Sequence, residues 1–107
     1  MADDCLLVLS TCPDNRTAAE IATILIEQNL AACVTRLPGA NSWYRWQGHL
    51  EKEEEVLLLI KTTRNRFPEL EVAVRRLHPY EVPEIIALTL AAGSEAYLQW
   101  IRNATGA

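Results

Sequence analysis

The densest chemical candidate in this 107-residue chain is residues 78–84, His-Pro-Tyr-Glu-Val-Pro-Glu. An imidazole, a phenol and two carboxylates lie within seven positions stiffened by two prolines. Such a set can supply metal ligands or polar contacts to a small molecule, or simply form a rigid connection with a packed tyrosine. Cys12, in Thr11-Cys12-Pro13-Asp14, stands next to an expected helix N-terminus, where the dipole favours thiolate. With His78 it would make a thiolate–imidazole pair suited to copper or zinc, so His78 and Cys12 are the candidate metal ligands. Cys5 and Cys33 lie in apolar runs and read as small buried hydrophobes. His49 stands beside Gly48 in a turn, and Glu51, Glu53, Glu54 and Glu55 read as a solvated edge that discourages strand pairing between molecules. Trp43, Tyr44 and Trp46 are expected to pack into a neighbouring subunit.

Other chemistries lack their signatures. The chain has no GxSxG, no HExxH, no glycine-rich phosphate loop and no histidine matched to a nucleophile, so an enzyme is not expected. The formal net charge is -4, with 14 acidic against 10 basic residues. No excess of cations is available for phosphates, so neither nucleic acid nor a membrane surface is an expected partner. Three cysteines cannot all pair within one chain and none forms CxxC, which points to a reducing compartment. With no basic leader and no long apolar span, the expected location is cytoplasmic.

The elements that must position these residues follow from periodicity. Residues 5–11 form an apolar strand, and Asp14 caps a helix whose stripe is Ala18, Ile21, Ala22 and Leu25. Asn29 is a natural left-handed helix end. Residues 33–37 are a second strand, broken at Pro38-Gly39 and followed by an extended aromatic stretch, 41–46. The chain turns at 47–49 and returns through residue 63, so 33–63 reads as one long bent hairpin. Pro68 suits the first turn of a second helix carrying Leu70, Ala73, Val74 and Leu77, which Pro79 stops. Residues 84–90 are the fourth strand. Ser94 caps a short last helix with Tyr97, Leu98 and Ile101, and 103–107 is expected to fray.

The order βαββαβ predicts a single α+β domain over 1–107. Two right-handed crossovers put both main helices on one face of a four-stranded antiparallel sheet, the ferredoxin-like arrangement, with an extended central hairpin and a short C-terminal helix. The third and fourth strands are apolar on both faces, yet the helices cover only one. Covering roughly 500 Å² of the other is worth on the order of 12 kcal/mol gross, before association costs. A homo-oligomer is therefore expected.

Six blocks carry a resemblance: Ala-Ala-Cys-Val at 31–34, Leu-Pro-Gly at 37–39, Tyr-Arg-Trp-Gln-Gly at 44–48, Glu-Glu-Val-Leu at 54–57, Ile-Lys-Thr-Thr at 60–63, and the 78–84 segment. Their order and rarity resemble the CutA divalent-cation tolerance family from Thr11 to Trp100. The resemblance implies a ferredoxin-like homotrimer, cytoplasmic in bacteria, with weak binding of Cu²⁺ or other divalent cations and a response to metal ions. Its assembly is similar to the PII signalling trimers, which implies as an alternative a signalling or scaffold protein with a small ligand at subunit clefts. Copper-binding members use a first-strand cysteine and two adjacent histidines before the Pro-Tyr pair. Here Ser10 holds the cysteine position with Cys12 two residues on, and the pair is Leu77-His78.

Overall fold

The computed structural model describes residues 2–106. After a 3-10 turn at Ala2–Asp4 come β1 (Cys5–Cys12), α1 (Asn15–Glu27), β2 (Cys33–Trp46), β3 (His49–Thr63), α2 (Phe67–Leu77), β4 (Ile86–Thr89) and α3 (Glu95–Ala104). All pairings are antiparallel in the order β2-β3-β1-β4, the ferredoxin-like α+β arrangement expected from the element order.

Local chemistry sets the helix ends. Asp14 Oδ1 accepts the Thr17 backbone N–H at 2.8 Å and caps α1. Asn29, at φ 57°, ends the turn after it. In α2, Pro68 occupies the first turn, and His78 is extended at φ -80°, ψ 136°, as the residue before a proline must be. The Ser94 hydroxyl accepts from Tyr97 N–H at 3.1 Å to start α3.

Residues alternate across the sheet. Leu6, Val8 and Cys12 of β1 and Val56, Leu58 and Ile60 of β3 face the helices, burying against Ala18, Ile21, Leu25, Leu70, Ala73 and Val74. The other face carries Leu7, Leu9, Leu57 and Leu59, with Leu37 50%, Ile86 51% and Leu88 47% exposed along its edges. One end of this second face is covered by α3, whose Leu98 and Ile101 bury Cys5. The rest is bare in a single chain.

Three expectations change. First, Pro38-Gly39 does not break the second strand. Residues 38 and 39 oppose the single residue 56, a β-bulge between the Leu37–Leu57 and Ala40–Glu55 pairs, and Gly39 supplies the left-handed φ of 84°. The strand then runs on to a two-residue turn, Gln47-Gly48, with φ of 50° and 83°. Second, the fourth strand is four residues, 86–89, because residues 84, 85 and 90 have no ladder partner, although Leu90 N–H still donates to Cys5 O at 3.1 Å. Third, the tail is held through Thr105. Its hydroxyl donates to Ile101 O at 2.9 Å, and Arg66 Nε donates to its carbonyl at 2.8 Å.

Candidate functional site

His78 sits one residue beyond α2 and is buried to 6% exposure. Tyr80 N–H donates to its Nδ1 at 3.1 Å, so that nitrogen is the acceptor. The proton therefore resides on Nε2, which donates to Thr11 O at 2.7 Å. Both nitrogens bind backbone, and the ring also packs on Tyr80 with centroids 4.6 Å apart. A metal–imidazole bond at either nitrogen would displace one of these hydrogen bonds.

Cys12 lies on the opposite side of β1 from Thr11, fully buried in the helix-side core. Burial pushes its thiol up to about 11, and the charges of Glu55 and Asp14 add to the effect. A thiolate ligand is thus disfavoured at neutral pH despite the neighbouring helix start. Among the described residues no three His, Cys, Asp or Glu side chains are grouped to hold a metal ion. As folded, Cys12 points into the helix-side core and His78 onto backbone, and neither is grouped with further His, Cys, Asp or Glu side chains among the described residues. Ser10, which holds the family's cysteine position, is also buried in this core, and its Oγ has no hydrogen-bond partner among the described residues. Leu77 packs against the same core.

What the 78–84 segment builds instead is one wall of a cleft of about 680 Å³. The hairpin forms the other wall with Ser42, Trp43, Tyr44 and Trp46, and Thr11 and Glu55 lie between them. Tyr80, Glu81, Val82 and Glu84 complete it. The bulge creates this arrangement. By inserting one residue it puts Ser42, Tyr44 and Trp46 on the same side of the ribbon as Glu55, while Lys52 Nζ lies 5.1 Å from the Trp43 ring.

Glu55 corrects the reading of the acidic run as a solvated edge. Glu53 and Glu54 are exposed, but Glu55 is 5% exposed and accepts from Tyr80 Oη at 2.9 Å. The signal was present in its parity with Leu57 and Leu59, which places it on the bare sheet face. Burial raises the Tyr80 phenol's pKa, and the Glu55 hydrogen bond and charge raise it further. Tyr44 is likewise raised, by desolvation and then by Glu53, Glu51 and Glu55. Both phenols therefore remain neutral donors at physiological pH. His49, at the turn, is exposed.

A ferredoxin-like domain with a long bulged hairpin and a cleft against the 78–84 connection defines the class. Residues 6–104 match the family model for CutA1 divalent ion tolerance protein. The chain belongs to that family. It is 51% identical over 100 residues to the divalent-cation tolerance protein CutA of Thermus thermophilus, covering 94% of this chain and 97% of that one. Human protein CutA is 47% identical over 95 residues, which are 89% of this chain and 53% of the human protein. Among solved structures, a divalent cation tolerance protein (Cut A1) from Thermus thermophilus superposes with TM-score 0.93 at 50% identity, covering 95% of this chain and 99% of that one. CutA1 from the psychrotrophic Shewanella sp. SIB1 gives 0.95 at 39% identity over the full length of both.

Proposed function

We propose that this chain is a homotrimeric binding protein, not an enzyme, and that its working site is the cleft between the hairpin and residues 78–84. The observation that carries this reading is the division of labour around Thr11. His78 spends both ring nitrogens on backbone and fixes the wall, while Glu55, Tyr44 and Tyr80 present polar groups to a cleft within the usual small-molecule range of roughly 300–1,000 Å³. The bare sheet face and the exposed Trp46 and Leu50 support assembly, since a second copy would cover them. Three unpaired cysteines support a reducing, cytoplasmic setting.

Cation tolerance then follows from weak capture of Cu²⁺ or a similar divalent ion by accessible carboxylates, with His78 and Cys12 outside the ligand set. Calorimetric Cu²⁺ titration of wild type, His78→Ala and Cys12→Ala tests this. Equal affinity in all three is expected; loss of binding in either variant restores that residue as a ligand. A trimer mass by light scattering is the accompanying expectation. The cleft also favours the second reading, a PII-like signalling or scaffold trimer that binds a small ligand, which predicts ligand-dependent stabilisation without metal.

A further inference from the structure

Glu55 is a carboxylate with no cationic partner. The residue is 5% exposed, its Oε2 accepts from the Tyr80 phenol, and its Oε1 is not among the buried atoms left without a partner, so it stays open to the cleft. Among the described residues no lysine, arginine or histidine lies within ion-pair distance of it. A carboxylate held at the base of a cleft, with little water around it, is better satisfied by an opposite charge and further hydrogen bonds than by the residual solvent. The surroundings deepen the demand. Glu81 and Glu84 line the same cleft, and among the described residues no cationic side chain lines it. The thiol of Cys12 and the phenols of Tyr44 and Tyr80 are all pushed upward with Glu55 among the causes, as expected beside a standing negative potential.

The walls say which cation fits. A bare metal ion needs several convergent donors, and no group of three His, Cys, Asp or Glu side chains placed to hold one exists among the described residues. Much of the lining is instead aromatic, with Tyr44, Trp46 and Tyr80 presenting ring surface. Aromatic faces attract cations whose charge is spread over an organic body, and they exclude the water that a small hard ion would keep. A carboxylate at the base of an aromatic cleft therefore matches an ammonium or guanidinium group.

We infer that the cleft takes an organic cation, an ammonium or guanidinium group on an apolar body, with Glu55 as its counter-charge and Tyr44, Trp46 and Tyr80 around it. This rests on the reading of the cleft as the working site. The cation comes either from a free small molecule or from a lysine or arginine side chain of another copy of this chain.

Benzylamine, cationic at neutral pH, and benzyl alcohol, its neutral counterpart, serve as probes against the assembled wild-type protein by calorimetry and tryptophan fluorescence. A free-ligand site gives benzylamine binding at least tenfold tighter than benzyl alcohol. That preference disappears in Glu55→Gln, while Glu81→Gln, at the cleft rim, reduces it less. Trp46→Leu, which keeps the carboxylate, weakens both probes and retains the preference. If the cation is a side chain of another copy, benzylamine does not bind wild type. Glu55→Gln then lowers the mass of the assembly in light scattering while retaining the far-ultraviolet circular dichroism of wild type. Equal binding of the two probes to wild type overturns the cationic assignment but leaves the cleft a ligand site. No binding of either probe, with an unchanged assembly in Glu55→Gln, overturns both.

Discussion

The imidazole of His78 donates from Nε2 to the carbonyl of Thr11 across 2.7 Å, although 67 residues separate them in the chain. The contact ties the connection after α2 to the end of β1, and Tyr80 N–H closes on the other ring nitrogen. One side chain thereby holds the cleft wall at the height where Tyr80 reaches Glu55.

Replacing His78 with alanine should remove both bonds and leave the Thr11 carbonyl and Tyr80 N–H unsatisfied near a buried surface. A loss of about 2–4 kcal/mol in urea unfolding is expected. A change below about 0.5 kcal/mol would show that the ring does not anchor the wall.

The Cys12 thiol gives stability a pH dependence of definite sign. Folding raises it from 9.0 to about 11, so between these values the folded chain keeps a proton that the unfolded chain has lost. Its contribution is fully present below pH 9 and is lost as pH rises through 11, on the order of 2 kcal/mol in all. Wild type should therefore lose more stability than Cys12→Ala between pH 8 and pH 10.5. The variant's cavity cost is the same at both pH values, so parallel losses would contradict the assignment.

The fold was largely legible because its cues are local: the Asp14 and Ser94 caps, the i, i+3, i+4, i+7 stripes and the Pro79 stop each act within a few residues. The site was legible only in part. Residues 78–84 stand out by composition, but whether His78 and Cys12 share a pocket depends on which face of β1 each addresses. They diverge, Cys12 into the helix-side core and His78 onto the backbone of Thr11. Glu55 was hidden because a run of four acids in five positions reads as solvent-exposed. Glu51 and Glu53 share its parity with Leu57 and Leu59; what sets Glu55 apart is the Tyr80 hydroxyl, brought to it from 25 residues away by the tertiary fold.

Gly39 should resist substitution for a purely conformational reason. Its φ is 84°, and an added Cβ would meet nothing within 4 Å. Gly39→Val is then expected to cost about 1–2 kcal/mol through backbone strain alone, with Gly39→Asn costing less. Equal costs would point to a lost contact instead.

Ser10 offers a change in the opposite direction. Its hydroxyl is buried without a partner, so the chain bears the desolvation of a polar atom for no hydrogen bond. Ser10→Ala should raise stability by about 1 kcal/mol in chemical denaturation. A destabilised variant would mean that the hydroxyl contributes packing worth more than its desolvation.

The bare sheet face makes the last expectation. Leu37, Ile86 and Leu88 are each about half exposed at the edges of a surface centred on Leu9 and Leu59, on the side that α1 and α2 leave uncovered. A lysine at Ile86 places a charge on that surface without touching the helix-side core. The variant should keep its circular dichroism but fall in mass from the proposed trimer toward monomer, because desolvating an unpaired ammonium opposes any contact that covers it. Ile86→Val, which keeps the apolar character, should leave the mass unchanged. If the lysine variant remains a trimer of wild-type stability, the assembly uses another surface, and the exposed hairpin residues Trp46 and Leu50 become the place to look.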